Sequence, residues 1–138
     1  MLSFLVLASA IGQAQFNLVL PVSIAQITDI ELGDVYNTAH SRCVLTTTSR
    51  KGDGCAASDS ALGKLKLQGS EGQSVLIKVS SAYNSYVEFT PILPNGSQQQ
   101  LFSLSMSTPI FIGGEIKVKP NESVGPASIS YLIEINYQ

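Results

Sequence analysis

A few groups of residues in this chain are of types that do chemistry, and their spacing decides how far each can go. Cys43 and Cys55 are the only cysteines. In an exported chain an even count points to a disulfide, here closing a loop of about a dozen residues and stabilising by roughly 3 kcal/mol through restriction of the unfolded chain. Two buried free thiols are the competing reading. With one distant histidine, the pair offers no metal-ligand set. That histidine, His40, is followed by Ser41 and Arg42. A Ser–His–Asp triad would need Asp53 or Asp59 as its third member, yet nothing in the sequence brings these together and no nucleophile elbow is present. No catalytic residue is therefore assigned, and the chain is not read as an enzyme. Asp29, Glu31 and Asp34 lie close in sequence, but their spacing puts Asp29 and Glu31 on the solvent face of a strand, and the calcium-loop ligand pattern is missing. Gly113-Gly114 precedes no helix that would cradle a phosphate. The expectation is a protein without metal or cofactor.

Charge narrows the partners further. Eight basic residues stand against ten acidic ones, and charged residues make up 13% of the chain. A nucleic-acid binder needs a basic stripe to meet phosphates, which this balance does not supply. The pairs Lys64/Lys66 and Lys117/Lys119 read as solvated strand faces or as guards against edge pairing. Tyr83 and Tyr86 are aromatics that a sugar ring could stack on; more often such residues are ordinary strand or loop positions.

The elements that must position these residues are strands. Leu62 to Gln68 alternates leucine with lysine, Glu71 to Gln73 reads as a turn, and Val75 to Val79 reads as the partner strand, so residues 62–80 form an expected hairpin. Val44 to Thr48 is β-branched and ends at a turn over residues 50–54. Further strands are expected over 86–90, 101–106 and 110–119, the last passing through Gly113-Gly114, with a turn at Pro120, Asn121 and Glu122. Along residues 129–137, Ile129, Tyr131, Ile133, Ile135 and Tyr137 share one face. Near the start, apolar positions shift from even (Ile24) to odd (Ile27), which requires a bulge or strand switch, and Gly33 marks a second bend. No stretch after Ala14 keeps a helical period. Seven or eight short strands at this spacing predict an antiparallel β-sandwich.

The N-terminus carries two further signals. Residues 2–11 form an apolar run too short to span a bilayer, followed by small residues suited to cleavage after Ala10 or Ala14, the pattern of a secretion signal without a preceding Lys or Arg. Residues 16–24 then alternate: Phe16, Leu18, Leu20, Val22 and Ile24 are apolar, with Asn17, Val19, Pro21 and Ser23 between them. This is a strand with one continuous apolar edge, either the first of its own sandwich or one lent to another molecule.

The C-terminal stretch, with Gly113-Gly114, Pro120-Asn121, Gly125 and a final alternating strand ending in Asn136-Tyr137, resembles the closing hairpin of a bacterial family of secreted pilin-like domains, many catalogued only as a domain of unknown function. The opening of that family is similar to Pro21, Val22, Ser23 and Ile24 followed by Asp29, Ile30, Glu31, Leu32 and Gly33, with Leu32 where the family carries Phe. Its middle hairpin resembles Leu65 to Val79. The resemblance covers most of residues 18–138.

What the resemblance implies is an immunoglobulin-like sandwich that is incomplete and is completed by a strand donated from the next subunit, in the manner of chaperone–usher fimbrial major subunits. Residues 1–14 are then a signal peptide, 15–21 an N-terminal donor arm and 22–138 the pilin-like domain. Phe16, Leu18, Leu20, Val22 and Ile24 are the expected subunit-interface plugs, each worth about 1.5–3 kcal/mol on burial, with backbone ladder bonds supplying the rest by β-augmentation. Pro21, which has no N–H to donate, is a natural seam between lent arm and home strand. The expected partners are identical subunits in a filament, a periplasmic chaperone and an outer-membrane usher, with a host or surface receptor possible. The expected location is outside the cell, reached through the periplasm. A monomeric secreted sandwich acting as a binding module or adhesin is the alternative.

Overall fold

Period-2 alternation builds the longer strands of this chain, most plainly over residues 63–68 and 74–79. The computed structural model describes residues 7–105, 109–119 and 124–137. It contains ten strands: β1 (Ser23–Thr28), β2 (Arg42–Leu45), β3 (Arg50–Lys51), β4 (Gly63–Gln68), β5 (Ser74–Val79), β6 (Ala82–Tyr83), β7 (Val87–Ile92), β8 (Gln99–Ser103), β9 (Ile110–Val118) and β10 (Ile133–Tyr137). Among the described residues there is no helix.

The longest strand, β9, is the spine of the larger sheet. Its first three residues pair with β4, Gly113 to Val118 pair with β7, and Gly114 to Lys117 pair with β2. Strands β1, β3 and β6 extend that sheet from β4, β2 and β7. The smaller sheet has the order β10-β5-β8, and every pairing in both sheets is antiparallel. Inward-facing residues of the two sheets meet in one core: Leu65 and Leu67 from β4, Ile110 and Ile112 from β9, Val75, Ile77 and Val79 from β5, with Leu93 and Leu104. Each such side chain contributes about 1.5–3 kcal/mol. The protein is an all-β antiparallel sandwich.

A second cluster of Cys43, Phe89 and Ile116 lies beside the first, and Tyr131 packs on both. Its ring meets Phe89 with centroids 5.7 Å apart. Gly113 and Gly114 let three strands converge on β9. A Cβ at Gly113 would lie 1.9 Å from the Leu45 carbonyl oxygen, and one at Gly114 would lie 2.3 Å from the Phe89 ring.

Several expectations are corrected. Residues 62–80 are not a hairpin: β4 and β5 belong to different sheets. Alternation fixes which side chains face inward, and both strands do face the same core, but from opposite sides of it. The link between them bonds to the residue after β8, with Gly72 N–H donating to the Leu104 carbonyl and Leu104 N–H to the Gln73 carbonyl, both at 2.8 Å. The strand expected over 44–48 ends at Leu45, because Thr46 N–H donates to the Ser49 carbonyl in a tight turn that returns the chain as β3. Residues 50 and 51, expected in a turn, are therefore in a strand.

The final alternating run pairs only from Ile133 onward, although Ile129 and Tyr131 keep their inward facing. The expected phase change is a register irregularity between Gln26 and Thr28. Gly33 adopts φ +79°, a left-handed conformation suited to glycine. Met106 of the expected 101–106 strand, the expected turn at Pro120, Asn121 and Glu122, and the first six residues of the expected signal lie outside the described residues.

Candidate functional site

The chain ahead of β1 has a surface unlike the rest. From Leu7 to Val22 no strand forms, and every residue through Pro21 is exposed. Phe16 is 77% exposed, Leu18 91% and Leu20 66%, although their even spacing gives them one shared face in an extended chain. No charged residue occurs between Leu7 and Thr28.

The five apolar positions expected at the interface divide where Pro21 stands. Val22 and Ile24 pack against the home core, and Ile24 sits opposite Leu67 in the β1–β4 ladder. Phe16, Leu18 and Leu20 lie outside it. Two hydrogen bonds fix the root of the arm: Leu20 N–H donates to Ser70 Oγ at 3.0 Å and Val22 N–H to Tyr137 Oη at 3.0 Å.

Two adjoining cavities open beside that root. One, of about 620 Å³, is lined by Leu20, Pro21, Lys66, Leu67, Leu104 and Ser105 among others. The second, of about 250 Å³, shares Leu67, Leu104 and Ser105 with it and continues past Phe102, Ile110 and Phe111. Its lining holds no charged residue. It follows β8, which is an edge strand of the smaller sheet. No direct sign of this groove is visible in the sequence, because its walls come from β4, β8 and β9. One signal was available: Phe111 occupies the outward phase of β9, between inward Ile110 and Ile112, and a large aromatic at such a position is 40% exposed.

The remaining candidates are placed as follows. Cys43 and Cys55 form a disulfide, with Cα atoms 4.9 Å apart. Nearby, the Arg50 guanidinium donates to three carbonyl oxygens, Leu32 at 2.9 Å, Ala56 at 2.6 Å and Asp34 at 2.6 Å. This clamp ties the segment after β1 to the segment after Cys55, and the sequence reading missed it because its acceptors are backbone. His40 is exposed in a turn with φ +64°. Asp29 accepts from Gln26 Nε2 at 2.9 Å, and both Asp29 and Glu31 are exposed. No group of three or more metal-binding side chains occurs among the described residues. Lys64 lies over the Phe111 ring and Lys119 over the Tyr83 ring, at 5.7 and 5.3 Å. Tyr83 and Tyr86 are both exposed.

Tyr131 is the one described group pushed far from its ordinary ionisation. Burial raises its phenol to about 12, with the nearby Asp29 carboxylate adding to the effect. Its hydroxyl donates to Gln26 Oε1, joining the approach to β10 to β1. Comparison with family models, with curated proteins and with solved structures finds no match to this chain.

Proposed function

We propose that this chain is a structural subunit of a bacterial surface filament, a pilus or fimbria, that polymerises by lending its N-terminal arm to a neighbouring subunit. The observation that carries the reading is the series Phe16, Leu18 and Leu20, exposed on an uncharged segment outside any strand that stops at Pro21, ahead of the first home strand. An isolated monomer gains nothing by presenting three large apolar side chains in series to water. A neighbour whose sandwich has room for one more strand would bury them at about 1.5–3 kcal/mol each, while backbone bonds supply the alignment.

The resemblance to secreted pilin-like domains supports the same function, and the Cys43–Cys55 disulfide suits an oxidising route through the periplasm to the cell surface. A periplasmic chaperone and an outer-membrane usher are the partners this assembly calls for, since an exposed apolar arm must be guarded until it is placed. The sandwich is then of the immunoglobulin-like, strand-deficient kind.

The test is electron microscopy of material sheared from cells that make the protein, beside the Leu18→Asp variant. Filaments are expected for the wild type and none for the variant. The variant's fold should stay within about 0.5 kcal/mol of wild type, because residue 18 touches little of its own domain. A wild type that remains a stable monomer under every condition would leave the secreted binding module as the better reading. A Leu18→Asp chain that misfolds on its own would return the arm to its home domain.

A further inference from the structure

Resting on the donor reading above, we infer that the arm of a second copy docks along the free edge of β8, where the two sheets of the sandwich part. Three observations meet there. The first is the backbone. Leu104 N–H donates to the Gln73 carbonyl and Val79 N–H donates to the Gln98 carbonyl, so the even residues of β8 are those bonded across to β5. The odd residues therefore turn their backbone groups outward. Those of Gln99 are engaged locally, its N–H by Ser97 Oγ and its carbonyl by Asn95 Nδ2. Those of Leu101 and Ser103 have no partner among the described residues. An added strand would satisfy them.

The second observation is the groove. Phe102 and Leu104 line it from the smaller sheet, and Leu67, Ile110 and Phe111 line it from the larger one. A strand laid on β8 would send alternate side chains between these two walls. Phe16, Leu18 and Leu20 have that spacing, and both the arm and the lining of the smaller cavity are uncharged. Five residues of arm and five of β8 each extend roughly 13 Å, so the lengths agree.

The third is the state of the other edges. Strands β3 and β6 have two residues each. The edges of β1 and β10 come near each other, and two bonds through side chains tie residues in or beside them, Val22 N–H to Tyr137 Oη and Tyr131 Oη to Gln26 Oε1. Of the described edges, β8 is the one that runs along the uncharged apolar groove. Each copy then gives an arm at one site and takes one at another. Such a heterologous contact propagates as a filament unless its rotation closes a ring.

Two variants of the groove separate this placement from the donor reading. Ser103→Pro removes an outward N–H while leaving the bonds between β8 and β5 in place. Phe111→Asp puts a charge on the groove wall at a side chain that is already partly exposed, and carries the test if Ser103→Pro fails to fold. Sedimentation of the purified full chain reads the result. Either groove variant alone should remain monomeric, as should Leu18→Asp alone. An equimolar mixture of a groove variant with Leu18→Asp should give one-to-one dimers that grow no further, since one supplies an arm and the other an open groove.

Groove variants that assemble like wild type would overturn the β8 placement and leave the donor reading standing. So would a mixture that stays monomeric while the wild type assembles. If the wild type never assembles, the donor reading fails first. If Leu18→Asp also lowers the stability of that monomer, the groove holds the chain's own arm and the inference is wrong.

Discussion

Replacing Gly113 with alanine should be among the most damaging single-methyl changes available to this protein. The added Cβ would lie 1.9 Å from the Leu45 carbonyl oxygen and 3.3 Å from a Leu62 methyl group. The first of these neighbours is backbone of β2, which is itself paired with both β9 and β3. It cannot rotate away as a side chain can. Alanine reduces the entropy of the unfolded chain and so offers a gain of about 0.4–1 kcal/mol where the site accepts it. Overpacking of a well-filled interior costs about 1–3 kcal/mol, occasionally more.

Displaced backbone belongs at the upper end of that range, so a net loss near 2 kcal/mol or greater is expected. Gly114→Ala meets the Phe89 ring instead, at 2.3 Å. That ring can shift at the expense of its packing on Tyr131, and the loss should be smaller. Urea unfolding followed by circular dichroism measures both, and the slope should not change. Gly113→Ala at wild-type stability, or less damaging than Gly114→Ala, would refute the claim that close approach of β2 is what fixes glycine at this position.

Two further predictions concern groups outside the core strands. Arg50→Ala removes three hydrogen bonds from a charged donor, two of them partly buried. At about 1.5–3 kcal/mol each before water compensates the exposed carbonyls, a net loss near 3 kcal/mol is expected. Arg50→Lys should recover little, since an ammonium cannot span the three acceptors as the planar guanidinium does. A loss under 0.5 kcal/mol by urea unfolding would show that the clamp does not hold the loop. For Tyr131, the tyrosinate absorbance removed by Tyr131→Phe should titrate near pH 12. The unfolded chain gives up this proton near pH 10 while the folded one keeps it. The stability associated with the group is thus fully present below pH 10 and is lost as pH rises toward 12. A removed component centred near 10 would contradict the burial assigned to the ring.

How much of this was legible in the sequence depended on whether a residue's role is local. Inward and outward facing followed from alternation: Leu65 and Leu67, spaced by lysines, pointed to the interior and both are buried there. What alternation cannot express is which strand lies beside which, and so β4 and β5 were joined into a hairpin when they face one another across the core. The disulfide was legible from two cysteines, and the irregularity near Ile27 from a change of phase. The two-residue strands β3 and β6 were not, because so short a run has no period. The even spacing of Phe16, Leu18 and Leu20 was legible, while their exposure is seen only in the structure. The groove beside β8 was not, since Leu67, Phe102 and Phe111 become neighbours only after both sheets form.

The central claim is that the segment around Leu18 belongs to a neighbour. Cryo-electron microscopy of sheared filaments tests it most directly, by tracing the chain between Phe16 and Pro21. The account predicts that this segment leaves its own domain at Pro21 and continues as an added strand beside Leu101 and Ser103 of the adjacent subunit. Density that instead keeps Phe16, Leu18 and Leu20 within their own subunit, or that leaves them exposed in an assembled filament, would contradict it.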